Sequence, residues 1–306
     1  MPLLEVQGMS ISFRMYEKGL KQHNYNSVNN ISLDVDRGEI LAIVGSSGSG
    51  KSLFAHGIMG ILPKNSNMSG KILFDGVELT KDLQDELRGK KIALVPQSIS
   101  HLDPLMKVGK QVQSTPRNEE TKKKQKETFN RYDLCEKSEK LYPHQLSGGM
   151  LRRVMVSTAA QEDYDLIIAD EPTPGLDLIL ARRTLKYFRE FADKNKAVIL
   201  ITHDIDLAFD VADRIAIFYA GSIVEIAPVS DFHQGVDALR HPYTKALYNA
   251  LPQNGFIPIK GTQPFGDSRQ EGCLYGPRCQ NFNESCSGVV PMRKVRDGMV
   301  RCNHAT

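Results

Sequence analysis

Gly45-Ser46-Ser47-Gly48-Ser49-Gly50-Lys51-Ser52 follows the apolar run at residues 40–44 and opens a helical segment. The order glycine, four residues, then Gly-Lys-Ser is typical of a loop that binds phosphate groups. Its glycines let the backbone wrap around a triphosphate with N–H groups pointing inward, and the helix adds the positive end of its dipole. Lys51 is expected to reach the β- and γ-phosphates, and the Ser52 hydroxyl to bind Mg²⁺. A glycine-rich linker is the alternative, but linkers lack the preceding buried strand and the Lys-Ser ending.

Apolar runs on either side of this loop alternate with helical and turn sequence. Such alternation predicts an α/β fold with a parallel sheet that has helices on both faces. Between about residues 98 and 160 the strand pattern gives way to polar helical sequence, which predicts an inserted helical subdomain. The predicted strands are residues 3–6, 31–35, 40–44, 70–76, 91–96, 166–169, 198–202 and 214–219, and the predicted helices are residues 53–62, 119–131 and 150–160.

The composition is that of an ordinary soluble protein of 306 residues. The 39 basic and 36 acidic residues leave a net charge of +3, which argues against a nucleic-acid partner. The one dense basic run, Lys122-Lys123-Lys124-Gln125-Lys126, is expected to be a solvated helix face. No apolar run approaches the roughly 18 to 20 residues needed to cross a bilayer, and the first residues do not resemble an export signal. These features predict a cytoplasmic protein with at most a peripheral membrane role.

An acidic pair, Asp170-Glu171, follows the apolar run at residues 166–169. A carboxylate at the end of a strand that faces a phosphate loop is where Mg²⁺ coordination needs it, so Asp170 is the expected metal ligand. Glu171 is expected to polarise the attacking water as a general base. The alternative is an exposed acidic turn after a core strand.

Over about residues 3–230 the chain resembles the ATP-binding-cassette (ABC) ATPases. The decisive stretch is Leu146-Ser147-Gly148-Gly149, which precedes the acidic pair by some two dozen residues and begins a helix. By itself it could be only an N-cap and turn. The resemblance implies a RecA-like P-loop NTPase cassette with an antiparallel β subdomain, an inserted helical subdomain and ATPase activity with ATP and Mg²⁺.

That family works as a head-to-tail pair, and the resemblance assigns several further roles. Ser147-Gly148-Gly149, here called the signature, would contact ATP held by the partner's phosphate loop. Gln97 would contact Mg²⁺ or water and sense the transport subunit. His203 would contact the γ-phosphate, and Asp177 would couple the two sites across the dimer. Taken alone, Gln97 could be a simple loop residue and His203 a structural histidine.

The adenine-stacking aromatic is expected to be Tyr16, from its place after the first strand, with Phe13 and Tyr25 as alternatives that could also simply pack. Two positions depart from the family pattern. Met150 replaces the glutamine that commonly closes the signature, and Pro174-Gly175 replaces the more usual small residues before Leu-Asp. Neither change removes a phosphate ligand or the general base.

The last part of the chain holds four of the five cysteines, Cys273, Cys279, Cys286 and Cys302. In a reducing compartment such a group indicates a metal or cluster more than disulfides. With His241-Pro242-Tyr243-Thr244 it resembles the C-terminal extension of oligopeptide, dipeptide and nickel importer ATPases, some of which hold an iron–sulfur cluster. Intervals of five, six and fifteen residues do not match a zinc ribbon, and four thiolates suit [4Fe–4S]. Reduced structural cysteines are the alternative.

The resemblance therefore implies a cassette over residues 1–252, with its helical subdomain at about 98–160, and a Cys-rich extension over residues 253–306. The implied function is the ATPase subunit of a prokaryotic importer for oligopeptides or dipeptides, peripheral on the cytoplasmic face of the inner membrane. Its expected partners are a second, paralogous ATPase, two permease subunits and an extracytoplasmic substrate-binding protein. Nickel or a metal chelate is an alternative substrate. A soluble ABC ATPase without a transporter, or a subunit that binds ATP without cleaving it, is the alternative class.

Overall fold

In a computed structural model, the chain is described over residues 1–16, 21–161, 163–264 and 272–305. Strands and helices alternate along it, as the apolar pattern predicts. The strands are β1 (Leu4–Tyr16), β2 (Gln22–Val35), β3 (Ile40–Val44), β4 (Ser66–Phe74), β5 (Val77–Glu78), β6 (Ile92–Val95), β7 (Leu166–Asp170), β8 (Ala197–Thr202), β9 (Arg214–Tyr219), β10 (Ser222–Pro228), β11 (Arg293–Val295) and β12 (Gly298–Val300). The α-helices are α1 (Lys51–Met59), α2 (Lys81–Leu87), α3 (Val108–Val112), α4 (Glu119–Arg131), α5 (Gly148–Ala159), α6 (Leu178–Ala192), α7 (Ile205–Phe209), α8 (Val229–Gln234) and α9 (Pro242–Asn249).

The larger sheet has the strand order β11-β12-β10-β9-β3-β8-β7-β6. Its five strands from β9 to β6 run parallel, and β10, β12 and β11 continue it in antiparallel fashion. Strands β3, β7 and β8 are buried at every position, because helices or the second sheet cover both faces. The carboxyl ends of β3, β7 and β8 therefore lie side by side at one edge.

The smaller sheet is antiparallel, in the order β2-β1-β4-β5, and with α1 it encloses one core against the larger sheet. The predicted strand at residues 70–76 is longer at its start and ends at Phe74. Asp75 and Gly76 both have positive φ, 50° and 78°, which is the geometry of a tight hairpin turn leading into β5. The Asp-Gly turn predicted from the sequence is confirmed.

Between β6 and β7 the described residues form helices and no strand, as predicted for the helical subdomain. Apolar side chains of α5 and α6 pack together with β6, β7 and β8 in a second core. The lysines of the basic run lie on α4, where Lys122, Lys123 and Lys124 are exposed and Gln125 is buried. This run is therefore a solvated helix face, as expected.

Helix α1 differs from the prediction of residues 53–62. It begins at Lys51, directly at the end of the phosphate loop, and ends at Met59. Gly60 stops it by adopting φ 65°, a left-handed conformation that glycine accepts without strain, so Pro63 is not the residue that ends the helix.

The cysteine-containing tail joins the larger sheet through β12, which pairs with β10. A third core lies beneath it, formed by β9, β10 and helices α7 to α9 with Tyr275. Of the residues described, none belongs to a helix long and apolar enough to cross a membrane. The domain division at residue 253 stays a prediction.

Candidate functional site

The phosphate loop connects β3 to α1 and depends on glycine at two points. A Cβ on Gly45 would lie 2.4 Å from the carbonyl oxygen of Phe218 on β9, so only glycine fits there. Gly50 has φ 108° and lies against Ser27 of β2, whose carbonyl oxygen would be 2.9 Å from an added Cβ. The loop is thus pressed between the two sheets, and its shape is fixed by backbone contact.

Lys51 lies at the inner end of this loop and is 5 % exposed. Its Nζ donates to the carbonyl oxygens of Gly45 at 2.7 Å and Ser46 at 2.9 Å. Burial lowers the pKa of Lys51, and the carboxylates of Glu171 and Asp170 act in the opposite direction. The ammonium group is therefore held at the loop with two acidic side chains near it.

Asp170 ends β7 and is 2 % exposed. Burial raises the pKa of its carboxyl group, although a hydrogen bond from the Ser52 hydroxyl favours the charged form. The second carboxylate oxygen, Oδ1, is buried without a hydrogen-bond partner among the described residues. A buried, unpaired carboxylate oxygen beside a serine hydroxyl fits the oxygen ligands that Mg²⁺ prefers. The two predicted magnesium ligands, Ser52 and Asp170, are thus brought together.

Glu171 follows with φ 45°, and its N–H donates to the carbonyl oxygen of Ile201 on β8 at 2.9 Å. This left-handed turn directs its side chain away from that of Asp170. Oε2 accepts a hydrogen bond from Gln97 Nε2 at 3.0 Å, and His203 Nδ1 lies 3.3 Å from Oε1. The structure therefore assembles the three residues predicted to be catalytic from the ends of three neighbouring strands.

Two residues near this group were missed in the sequence analysis. Arg152 on α5 is 7 % exposed and donates from Nη1 to the carbonyl oxygen of Gln97 at 2.6 Å. Burial lowers its pKa, and the charges of Glu171 and Asp170 oppose that change. His56 on α1 is similar: burial lowers its pKa and the Asp170 charge opposes the shift. The available signal for Arg152 was its place on the buried stripe of a helix, in line with Met155 and Ala159.

The signature lies at the surface. Ser147 caps α5 by accepting from the N–H of Met150 at 3.3 Å, and Ser147 and Gly148 are exposed. Asp177 caps α6 through the N–H of Leu180 at 2.9 Å and is likewise exposed. Across the part of the chain that the structure describes, no hydrogen bond joins the signature to the phosphate loop. One copy therefore leaves the N-terminus of α5 facing solvent.

Tyr16 ends β1 with 64 % of its surface exposed, and its hydroxyl accepts from Gln22 Nε2 at 2.8 Å. Phe13 packs partly against the first core and so has a structural role. Tyr25 pairs with Phe13 across the hairpin. The exposed ring of Tyr16 is free to stack on a flat ligand, and its assignment to adenine stays a prediction.

All four C-terminal cysteines line one pocket, together with His241, Tyr275 and His304. This pocket is here called the cysteine pocket. They form no disulfide. Backbone N–H groups donate to two of the sulfur atoms, from Tyr275 to Cys273 and from His304 to Cys302, the latter at 3.4 Å. Burial, and to a lesser degree the neighbouring thiols, raise the pKa of Cys273 and Cys302. The thiols are therefore close enough to influence one another.

The pattern of the cysteines does not match a single-ion site. Within residues 1–16, 21–161, 163–264 and 272–305, no group of three or more His, Cys, Asp or Glu side chains is placed to hold one metal ion. A single zinc ion would need all its sulfur ligands at about 2.3 Å.

Comparison with known families agrees with this geometry. Residues 28–174 match the ABC transporter family, and residues 224–286 match the oligopeptide/dipeptide transporter C-terminal region. The first match contains the phosphate loop, the signature and the acidic pair. The second contains the first three cysteines of the pocket.

Individual relatives match nearly the whole chain. The dipeptide transport ATP-binding protein DppD of Bacillus subtilis (strain 168) is 37 % identical over 96 % of this chain and 91 % of its own length. The protein of the same name from Escherichia coli (strain K12) is 34 % identical over 97 % and 95 %. The oligopeptide transport ATP-binding protein OppD of Lactococcus lactis subsp. lactis (strain IL1403) is 38 % identical over 82 % and 76 %.

A solved structure of an ATP-binding cassette is similar to the cassette part of this chain. A dimeric ATP-binding cassette in a post-hydrolysis state, bound to ADP and Pi, has a TM-score of 0.66 at 26 % identity and covers 74 % of this chain and 98 % of its own. The cassette is thus the matched part of the fold. With near full-length relatives above 30 % identity, this chain belongs to the ABC transporter ATP-binding proteins that carry the oligopeptide/dipeptide transporter C-terminal region.

Proposed function

We propose that this chain is the ATP-hydrolysing subunit of a prokaryotic importer for dipeptides or oligopeptides. The observation that carries the ATPase assignment is Glu171, held by Gln97 and His203 beside Asp170 and Lys51. A subunit that only binds ATP has no use for this arrangement. The peptide assignment is supported by the relatives, which are named as dipeptide and oligopeptide transport proteins.

In the proposed reaction, the loop N–H groups of Gly45 to Ser52 and the Lys51 ammonium bind the β- and γ-phosphates of ATP. Ser52 and Asp170 hold Mg²⁺, with Gln97 able to contact it or the water; bound Mg²⁺ neutralises charge that develops on the phosphate oxygens. Glu171 accepts a proton from the water that attacks the γ-phosphorus, and the bond to the β–γ bridging oxygen breaks to give ADP and phosphate. His203 donates to the transferred group. Tyr16 stacks on the adenine.

We propose that the working unit is a head-to-tail pair of cassettes. The exposed N-terminus of α5 offers N–H groups and a positive dipole end to a phosphate, but its own phosphate loop does not use them. In the pair, Ser147, Gly148 and Gly149 contact ATP held by the other subunit, and Asp177 couples the two sites. The partner is a paralogous ATPase. The solved relative described above is itself dimeric.

The pair is proposed to dock on the cytoplasmic face of the inner membrane against two permease subunits, with an extracytoplasmic protein delivering the substrate and no nucleic acid involved. The names of the relatives favour peptides over nickel or metal chelates. The second family match is to a transporter region, which favours a transporter subunit over a soluble ABC ATPase. We divide the chain into a cassette at residues 1–252, with its helical subdomain at about 98–160, and an extension at residues 253–306.

For the extension we propose a [4Fe–4S] cluster on Cys273, Cys279, Cys286 and Cys302. The support for this proposal is the four free thiols that line one pocket. Four thiolates are the ligand set that such a cluster requires, and N–H donors to sulfur are typical around one. Anaerobic purification followed by iron, sulfide and visible-absorbance measurements tests it. A colourless, iron-free protein would leave the thiols as structural groups.

The transport proposal is tested by assembling the chain with its permease and second ATPase in liposomes. Peptide-loaded binding protein is expected to stimulate phosphate release and peptide uptake together, and a Lys51→Met subunit serves as the inactive control. Stimulation by nickel complexes with none by peptides would assign the alternative substrate. Full ATPase activity with no membrane partner, and no response to either substrate, would contradict the transporter assignment.

A further inference from the structure

His241 begins α9 and is fixed from two sides. Its ring nitrogen Nδ1 accepts a hydrogen bond from the N–H of Tyr243 at 2.9 Å and so caps the helix. Its own backbone N–H donates to Oε2 of the buried Glu225 at 2.7 Å. Pro242 at the first helical position needs no N–H partner. These contacts hold the imidazole in one orientation.

The cap also determines where the ring carries its proton. Because Nδ1 accepts a hydrogen bond, it presents a lone pair, and the single N–H of the neutral ring must be on Nε2. Nε2 is buried and has no hydrogen-bond partner among the described residues. A buried N–H without an acceptor is costly and calls for an explanation.

The ring that carries this N–H lines the cysteine pocket. Two arginines near the pocket are already engaged, whereas the other imidazole of the pocket, His304, also has a buried Nε2 without a hydrogen-bond partner among the described residues. Arg278, next to Cys279, donates to the carbonyl oxygen of Lys260 at 2.8 Å and to the Tyr219 hydroxyl at 3.1 Å. Arg240, next to His241, pairs with Glu225 and Asp231. His241 therefore offers a side-chain donor that the protein itself does not use.

We propose that Nε2–H of His241 donates a hydrogen bond to a sulfur atom in the cysteine pocket, either a cysteine thiolate or an inorganic sulfide of the bound cluster. The inference rests on the cluster proposed above. The charge on sulfur grows when a cluster is reduced, so a fixed N–H donor stabilises the reduced form more than the oxidised form. The predicted consequence is a higher reduction potential than the four cysteines alone would give.

Two substitutions separate the donor from the helix cap. Asparagine is a good N-cap residue, so His241→Asn retains an acceptor near the position of Nδ1 and loses the distal N–H. His241→Gln has a longer side chain whose amide N–H reaches toward the position of Nε2, although it caps less well. Thermal unfolding of both variants reports whether α9 and the tail remain folded.

The experiment is a redox titration of anaerobically purified full-length protein, followed by visible absorbance and electron paramagnetic resonance. With iron content near that of the wild type, His241→Asn is expected to shift the midpoint potential to a more negative value, and His241→Gln to return it toward the wild type. An iron-loaded His241→Asn protein with an unchanged midpoint would overturn the proposal. A wild-type protein without iron would overturn it together with the cluster, while the ATPase and transport assays still report separately on the importer.

A second measurement covers a variant that fails to fold. In wild-type protein labelled with ¹⁵N in histidine side chains, the reduced cluster is expected to show magnetic coupling to a histidine nitrogen. The same coupling should persist in His304→Ala, which removes the other imidazole of the pocket. Absence of histidine coupling in the wild type overturns the proposal.

Discussion

The phosphate-loop face and the cysteine pocket differ in whether their polar groups already have partners and in how far they are open to solvent. At the first, charged side chains already have partners: Lys51 has two carbonyl oxygens, and Glu171 has Gln97 and His203. The side chain of His203 is 55 % exposed, so a ligand can arrive from solvent. At the second, the four thiols and the N–H of His241 lie around one pocket.

This difference suits the phosphate-loop face to a ligand that binds and leaves, and we call it the exchange site. It suits the cysteine pocket to a ligand that stays bound, and we call it the resident site. At the phosphate-loop face the charges of Lys51 and Glu171 are paired between turnovers, whereas Asp170 keeps a buried carboxylate oxygen without a hydrogen-bond partner among the described residues. Unpaired buried donors are satisfied only when the ligand is present, so the pocket gains stability from permanent occupancy. The first region fits a substrate, and the second fits a resident group.

The two regions are joined by a linker, residues 250–264. Gln253 Nε2 donates to Asp206 Oδ1 on α7 at 2.5 Å, and the Ser46 hydroxyl donates to Gln263 Oε1 at 2.7 Å. Arg278 fixes the far side of the linker through Lys260 and Tyr219. Because these contacts are few, we expect that a change in the cysteine pocket has little effect on ATP hydrolysis, and that a change at the phosphate-loop face has little effect on the pocket.

The largest effect is expected at the exchange site. Glu171→Gln removes the proton acceptor and keeps a side chain that can still meet Gln97 and His203. ATP hydrolysis by the assembled complex should fall by about 10²- to 10⁴-fold, the usual contribution of a general base. Steady-state phosphate release measures this loss. The affinity for ATP, measured by equilibrium titration, should be retained.

The matched control is Glu190→Gln, which alters a half-exposed carboxylate on α6 that pairs with Arg131 of α4 and not with a predicted catalytic side chain. It should leave hydrolysis near the wild-type rate. Iron content should be unaffected in both proteins. Normal hydrolysis by Glu171→Gln would remove this residue as the base, and a loss of iron would break the separation between the two regions.

The second effect tests the resident site. Cys286→Ser replaces a buried thiol with a more polar hydroxyl and removes one expected cluster ligand. We expect iron to be lost and the free energy of unfolding to fall by about 1–3 kcal/mol. Cys135→Ser is the control, because that cysteine is exposed and lies outside the pocket; it should stay within about 0.5 kcal/mol of the wild type. Equal losses in both variants would contradict a special role for the pocket.

Much of the exchange site could be predicted from the sequence because its parts are short contiguous motifs at strand ends. A strand, a glycine-rich loop and Lys51 are local in sequence, and parallel strands bring Asp170 and His203 to the same edge. Helical periodicity could have placed Arg152 on the buried face of α5, but the nearness of Arg152 and His56 to Asp170 depends on how α5 and α1 pack, which periodicity does not show. The left-handed φ of Glu171 also carries no sequence signal, since it is imposed by the contact with Ile201.

The resident site was only partly predictable. Cysteine number and spacing indicated a common site, but the intervals between Cys273 and Cys302 do not show which other residues line the pocket. The N–H of His241 could not be foreseen, because the sequence marks His241 only as part of a run that resembles the family's C-terminal extension, and the surroundings of its second nitrogen depend on how the tail folds. Pairing of β12 with β10 was equally hidden, since three-residue strands are too short to show an alternating pattern.

A smaller effect is expected from the buried carboxylate of the exchange site. Burial raises the pKa of Asp170, so the charged group costs stability above its folded pKa, and this cost disappears as pH falls below it. Asp170→Asn should therefore stabilise the protein at neutral pH by about 1 kcal/mol, at the expense of function. Thermal unfolding without Mg²⁺ at several pH values measures this, and the gain should shrink toward acidic pH.

With Mg²⁺ and ATP added, the order should reverse, because the wild type binds them more tightly and is stabilised by that binding. A variant that is less stable than the wild type without ligand at neutral pH would show that the Ser52 hydrogen bond outweighs burial at Asp170. The iron content of the cysteine pocket should be the same in both proteins.

The smallest effect concerns the contact between the two regions. Gln263→Ala removes one exposed hydrogen bond to Ser46, and such bonds contribute about 0.5–1.5 kcal/mol, with exposed ones at the lower end. ATP affinity should change by no more than about threefold, since a tenfold change needs 1.4 kcal/mol. Gln253→Ala, which removes a linker contact to Asp206 instead, is the matched control. A loss of affinity above tenfold in Gln263→Ala alone would make the linker part of the nucleotide site, because only a group that helps to shape the phosphate loop could have so large an effect.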